Sequence, residues 1–379
     1  MTTYTQRFEL DNREQGSIWL RIDVSIVLLS LTLVGLGLVV VYSATRGIVL
    51  PGQGPDRSFV NKQIFFVGVG LVLGAVATAV DYRRAKSLIP IAYVGSVVLL
   101  LGLPAFGQEW NGAKSWYSLG FATLQPSEFA KLALILTVAA WFSRQRPGEA
   151  MGLTTVLLGL GMGGFLALLV LVQPDYGTVM VYGSIVLGVL FVAGVRPYQF
   201  AIVTGGLVAG VVLLFSTNRV RQTQINRFTA FADPDSVLRY NVDQAEIAIG
   251  SGGLTGKGLF QGTQNNNSLV PEKETDFIFS VVGEELGFIG SAALLVLFGL
   301  LLMRIWRVAH LAENEYGRLI CVGVFAMFLF QAFQSVGMNM GMMPVTGIPL
   351  PLISYGGSSM VTTLVAIGLV ESVHAHRLR

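Results

Sequence analysis

The stretch Thr275-Asp-Phe-Ile-Phe-Ser-Val-Val-Gly-Glu-Glu-Leu-Gly287 continues through 288–303 with only Ser291 as a polar side chain. That run decides the class of fold. A bilayer core takes about 20 apolar residues of helix, and residues 276–303 supply them. Three carboxylates lie at its start: Asp276, Glu284 and Glu285. Acids in such a segment are costly, face a bundle interior and default to a functional-site hypothesis. Further apolar segments flank it at 22–44, 63–80, 88–103, 128–142, 153–172, 178–195, 200–215, 319–338 and 358–373. Of the 379 residues only 12% are charged, against about 25% in soluble domains. The expectation is an all-α polytopic membrane protein, ten spans forming a single integral domain over 1–379.

Lysine and arginine sort the loops into two sets. Arg7, Arg13 and Arg21 lead the chain, and alternate loops carry Arg83, Arg84 and Lys86, Arg144 and Arg146, Arg196, and Arg304, Arg307 and Arg318. Arg377 and Arg379 end it. The opposite set has Arg46, Arg57, Lys62 and Lys114. Both termini are therefore expected inside and the long loop 216–275 outside, with Asp276 at the outer end of its helix. The net charge of +3 maps to one side of a membrane, so no nucleic-acid partner is implied. The first segment is too long for a signal-peptide core and reads as a signal-anchoring span. Cys321 is the lone cysteine, in an apolar segment, so no disulfide framework exists within the chain. Within the long loop, 233–236 reads as a turn and N-cap. Residues 237–249 have the spacing of a helix lying on the membrane surface, and the glycine-rich 250–258 cannot be regular helix.

Several strings have a bland explanation. Gly159-Leu-Gly-Met-Gly-Gly164 matches a dinucleotide fingerprint, yet it sits in an apolar span with no preceding strand. Close helix packing accounts for it, as it does for Gly70 and Gly74. No phosphate-binding loop, metalloprotease motif or Cys/His cluster occurs, and the histidines are His310, His374 and His376. Glu128 and Lys131, at i and i+3 of a span's start, share a helix face and can pair. They are either a packing ion pair or the wall of a polar cavity where Lys131 meets an anion. Asp175 in a short outer turn either caps the next helix or lines the same outer cavity as Asp276. Gln331, Gln334, Ser335 and Asn339 form a polar stripe of the kind that joins helices. The segment 344–357 is too apolar for a free loop and too rich in proline and glycine for helix, so it reads as re-entrant backbone buried in protein or lining a cavity.

Taken together, Gln125-Pro-Ser-Glu128, Gln173-Pro-Asp175, Ile249-Gly-Ser-Gly-Gly253, Thr275-Asp-Phe-Ile-Phe279, Glu284-Glu-Leu-Gly287 and Pro349-Leu-Pro-Leu-Ile-Ser-Tyr-Gly-Gly357 strongly resemble the SEDS family of shape, elongation, division and sporulation proteins. The likeness covers essentially the whole chain. Thr255-Gly-Lys-Gly258 and Gly262-Thr-Gln264 look more like the elongation (RodA) branch than the division (FtsW) branch. The resemblance implies a peptidoglycan glycosyltransferase that polymerises lipid II at the outer face of the plasma membrane, with a class B penicillin-binding protein as partner. It maps the family's essential aspartate to Asp276, its buried acid–base pair to Glu128 and Lys131, and its turn aspartate to Asp175. Where the family has arginine before tryptophan, this chain reads Gly112-Ala-Lys-Ser-Trp116, so Lys114 stands in for that charge.

Joining an α-linked glycosyl diphosphate into a β-linked polymer inverts the anomeric centre, which suits one general base and no covalent intermediate. Asp276 is the candidate, as a base or as a ligand to a Mg²⁺ or Mn²⁺ ion. The departing diphosphate needs positive charge. Lys131, Lys114, Lys257, Arg219, Arg221 and Arg227 are candidates, with Ser354 of the re-entrant segment as a further substrate-binding residue. A lipid II flippase and a non-catalytic scaffold for a transpeptidase are the rival functions, and no inverted repeat of the transporter kind is evident.

Overall fold

The computed structural model describes residues 18–46, 57–110, 113–118, 120, 122–145, 151–216, 237–266 and 269–377. The expected turn at 233–236 lies outside them, as do Arg7, Arg13, Arg146 and Arg379 of the loop charges. Each apolar segment falls on a helix: α1 (Val24–Thr45), α2 (Ser58–Ala79), α3 (Ile89–Phe106), α4 (Pro126–Phe142), α5 (Leu153–Leu171), α6 (Tyr176–Val192), α7 (Pro197–Ser216), α9 (Ile278–Leu311), α10 (Glu315–Asn339) and α11 (Gly357–Ala375). Between α7 and α9 runs α8 (Val237–Gly252). Among the described residues seven helices are long and apolar enough to cross a membrane, and α6 is a shorter apolar helix. Leu28, Val72, Leu101 and Val296 are exposed on α1, α2, α3 and α9, as expected of helices whose outer surface meets lipid. This is a multi-pass membrane architecture.

Small residues set the closest helix approaches. On α2, a Cβ at Gly70 would meet Leu364 of α11 at 2.6 Å, and one at Gly74 the Leu364 carbonyl at 2.8 Å. On α5, Gly159 packs against the Phe142 ring, where a Cβ would come within 2.3 Å. The false dinucleotide string is thus a helix-packing surface. Polar caps start the helices at fixed points: Asp23 accepts from Ser25 N for α1, Asp175 from Thr178 N for α6, and Asn314 from Gly317 N for α10.

Three features differ from the expectation. The chain is not wholly helical, because β1 (Gln108–Trp110), β2 (Ala113–Ser118) and β3 (Thr123–Leu124) form an antiparallel meander between α3 and α4. The Tyr117 hydroxyl anchors it by donating to the Leu99 carbonyl of α3. Second, the apolar face of α8 is covered by protein rather than laid on lipid. Val242, Ala245 and Ala248 form a small core with Val270, Phe277, Met338 and Val345, while Tyr240 is exposed. Third, α9 breaks at Gly287, whose φ of 66° and ψ of −165° are non-helical.

That break is closed by the glycine-rich segment. Phe288 N and Ile289 N donate to the carbonyls of Gly253 and Leu254, at 2.9 and 3.1 Å. In return Lys257 N and Gly258 N donate to the carbonyls of Glu284 and Glu285, each at 3.0 Å. A broken membrane helix must have its freed backbone groups re-satisfied within protein, and this exchange does so. Contact is tight: a Cβ on Gly256 (φ +79°) would lie 2.2 Å from the Glu285 carbonyl.

Candidate active site

Asp276 ends a loop, not a helix, and three hydrogen bonds fix that loop at successive carbonyls. Tyr355 N donates to Glu274 O at 2.8 Å. Ser354 Oγ donates to Thr275 O at 2.7 Å, and Asn339 Nδ2 to Asp276 O at 2.9 Å. The same Asn339 accepts from Ser280 N through Oδ1 at 2.9 Å, so one amide spans the junction of loop and α9. Asn339 and Ser354 are buried. The polar stripe on α10 therefore reaches the base of the site, where its sequence pattern suggested only helix adhesion.

The segment 340–356 is non-helical, and it is buried from Leu350 to Ser354. Gln63 of α2 holds its end, with Nε2 donating to Ser354 O at 3.1 Å and Oε1 accepting from Gly356 N at 3.2 Å. Gln334 of α10 holds its start by donating to Pro344 O at 2.9 Å. The middle, 346–348, has a carboxylate beside it. A Cβ on Gly347 (φ +70°) would stand 3.4 Å from Asp276 Oδ2, and one on Gly177, two residues past Asp175, 2.5 Å from the Thr346 carbonyl. Asp276 and the Asp175 turn thus lie against the same short piece of backbone.

Asp175 is fully engaged. Its carboxylate accepts from Thr178 N at 3.0 Å, Thr178 Oγ1 at 2.8 Å and Gln125 Nε2 at 3.2 Å, and the Ser127 hydroxyl approaches to 3.5 Å. This is a helix cap that also ties the Gln125-Pro-Ser-Glu128 string to the Gln173-Pro-Asp175 string. The Tyr182 hydroxyl donates to Ser127 O at 2.9 Å, and the Ser358 hydroxyl of α11 accepts from Gln125 N at 3.0 Å. On the next turn of α4, Lys131 Nζ meets Glu128 Oε1 at 2.6 Å, the side chains being 2% and 5% exposed. An ammonium has three donors. Among the described residues Lys131 directs one, at Glu128.

The other expected cations are not equivalent. Lys114 is exposed on β2. Lys257 is committed elsewhere: its ammonium lies 2.8 Å from Glu284 Oε1 and 2.6 Å from Thr263 Oγ1. Glu284, fully buried, also accepts from Gln264 N at 2.8 Å. Glu285 accepts from the Ser43 hydroxyl of α1 at 2.5 Å. The two acids within α9 therefore hold the glycine-rich segment and α1. Arg219, Arg221 and Arg227 lie outside the described residues.

Two groups beside Asp276 escaped the sequence reading. Burial lowers the Lys273 ammonium from its ordinary value. Burial, and then the neighbouring Glu272 charge, raise the Glu274 carboxyl, against the pull of its backbone hydrogen bond and Lys273. Burial, with Glu274 second, raises the Tyr355 hydroxyl. Their signal lay in the charge density of Pro271-Glu-Lys-Glu-Thr-Asp276, which reads as a solvated run until the re-entrant segment covers it. Among the described residues no group of three His, Cys, Asp or Glu side chains could hold a metal ion.

The family model described as "Cell cycle protein", which unites FtsW, RodA and SpoVE, matches residues 24–379. The chain belongs to this family. Among its FtsW/RodA/SpoVE relatives, the peptidoglycan glycosyltransferase MrdB of Escherichia coli K12 is 35% identical over 377 residues, 97% of this chain and 98% of MrdB. Stage V sporulation protein E of Bacillus subtilis is 36% identical, covering 93% of this chain and 96% of its own. The crystal structure of the rod shape determining protein RodA of Thermus thermophilus superposes with a TM-score of 0.72 at 32% identity, over 95% of this chain and 99% of that one. A chain of a peptidoglycan synthase complex that coordinates polymerization and crosslinking gives 0.75 at 32% identity, over 94% and 99%. The family's fold accordingly extends over nearly the whole chain.

Proposed function

We propose that the protein is a peptidoglycan glycosyltransferase of the elongation branch, polymerising lipid II at the outer face of the plasma membrane, with Asp276 as its general base. Ten spans with both termini inside follow from the loop charges and put Asp276 at that face. The supporting observation is the fixation of the 274–276 carbonyls by Tyr355, Ser354 and Asn339. A base must be held within hydrogen-bond reach of the proton it removes, and a loop clamped at successive carbonyls provides that without a helix. The family relatives named peptidoglycan glycosyltransferase supply the reaction class.

In this reading the acceptor sugar's 4-hydroxyl gives its proton to the Asp276 carboxylate as its oxygen attacks the anomeric carbon of the donor. The bond to the lipid diphosphate breaks on the opposite face, inverting the centre. Lys131 directs its remaining donors at the departing diphosphate, and Glu128, 2.6 Å from Nζ, holds the ammonium in place. Asp175, Asn339 and Ser354 are positioning residues, because their hydrogen bonds are spent on backbone and neighbouring side chains. Lys114, exposed on the meander, contacts the substrate's outer portion, and Lys257 supports the site through Glu284. A divalent cation suits this donor set only when carried in on the diphosphate, as Mg²⁺ often is. A class B penicillin-binding protein is the proposed partner, in keeping with the relative from a synthase complex.

Asp276→Asn tests the reading. Asparagine keeps the size and loses the basicity, so polymerisation of lipid II should fall by about 10²–10⁴ with the melting temperature unchanged. Near-wild-type polymer from this variant, made without added metal, would remove Asp276 from the chemistry. Lipid II crossing vesicles without polymer would establish the flippase instead.

A further inference from the structure

At the end of α9 remote from Asp276, α1 and α9 leave a groove of about 520 Å³ between them, within the ~300–1,000 Å³ usual for ligand sites. Its walls are Leu28, Leu29, Leu300 and Met303, and its polar end carries Arg304 and Arg307. Arg304 is anchored: its guanidinium donates to the Ser25 hydroxyl and lies 3.9 Å from the Asp23 carboxylate. Arg307, three residues on and so on the same helix face, is exposed. It makes no hydrogen bond or ion pair among the described residues. The proposed reaction uses neither arginine.

We infer that this groove binds an anionic glycerophospholipid of the adjoining leaflet, its phosphate on Arg307 and Arg304 and one acyl chain along Leu29 and Met303. A guanidinium fork matches phosphate oxygens through paired hydrogen bonds. Arginine at a membrane boundary gains most from an anion that shares its depth, and basic pockets between spans on the inner side take anionic headgroups. The exposed leucines and methionine beside the arginines supply what a free phosphate would leave uncovered. A zwitterionic headgroup would bring a second cation to two arginines, so the charge pattern selects an anionic lipid such as phosphatidylglycerol. The site is independent of the glycosyltransferase assignment, and its test reads lipid rather than activity.

The full chain is reconstituted in nanodiscs of equal dioleoyl phosphatidylglycerol and dioleoyl phosphatidylcholine, and lipid retained after detergent extraction is counted by native mass spectrometry. An arginine near the surface contributes on the order of 1 kcal/mol toward an anionic lipid, so Arg307→Gln should lower the preference for phosphatidylglycerol about fivefold. Leu29→Trp keeps every charge but fills the groove, and should abolish retention of that lipid. Arg84→Gln, at the same membrane side but outside the groove, should change nothing. Equal retention of the two lipids by the wild type would overturn the proposal. So would an Arg84→Gln effect as large as that of Arg307→Gln, or undiminished retention in Leu29→Trp.

Discussion

Lys131→Met removes the ammonium from a pair whose side chains are 2% and 5% exposed and whose atoms stand 2.6 Å apart. Methionine keeps the length and apolar stem, so the loss is electrical rather than steric. Glu128 is left buried without its cation. Breaking one member of such a pair costs about 3–5 kcal/mol, a large share of the ~5–15 kcal/mol that holds a typical domain folded. Glu128→Gln should cost a similar amount, because it strands the ammonium instead. Combining the two removes both charges, and apolar or neutral replacement of a buried pair is often neutral in stability. The double variant should therefore melt close to the wild type. Thermal melting of the detergent-purified protein measures that half of the cycle, and gel analysis of lipid II polymer measures the other. With Lys131 facing the diphosphate, the double variant is stable yet slower by roughly 10²–10³, the usual loss for one charge-stabilising donor. Recovery of polymerisation together with stability would refute that role and leave the pair as a packing strut.

Other perturbations address the supporting framework. Asn339→Leu strands Ser280 N and Asp276 O at about 1–3 kcal/mol each, so melting temperature and polymerisation should drop together; an unchanged melt would show that the amide bonds contribute nothing. Gly256→Ala drives a Cβ to 2.2 Å from the Glu285 carbonyl, whereas Gly253→Ala at φ +55° meets open space. Size-exclusion profiles should show loss of folded protein for the first and only a mild effect, about 1–2 kcal/mol, for the second. Because burial raises the folded Glu274 carboxyl, the folded state holds that proton to higher pH than the unfolded chain, whose value is about 4.3. Stability should accordingly fall as pH climbs from there through the raised folded value. Glu274→Gln should remove that part of the slope in melting curves, and an identical slope in the variant would contradict it.

The helices were legible because each must supply its own apolar surface and its own backbone hydrogen bonds, and both requirements are local in sequence. The convergence of Asp276, Asp175 and the 344–357 segment was legible too, since proline- and glycine-rich apolar backbone has to be buried somewhere. The partners were not. Nothing near Lys257 in the chain indicates that Glu284, 27 residues on, takes its charge. The spacing of α8 could not say whether lipid or Phe277 and Met338 would cover Val242 and Ala245. Gly287 looked like one more small residue in an apolar helix, and its role as a break depends on the carbonyls of Gly253 and Leu254 arriving from the glycine-rich segment.

Hydrogen bonding identifies the polar residues that build this site. Asp175 and Glu284 each accept several hydrogen bonds from named donors, which leaves little capacity for a substrate and makes them struts. Lys131 directs one of three donors. Asp276 has its backbone carbonyl fixed by Asn339, and its carboxylate sits beside Gly347. The bundle thus spends these polar groups on immobilising the loop that carries Asp276. Polar side chains buried among membrane helices are expensive, and here they are grouped where they hold Asp276 in place.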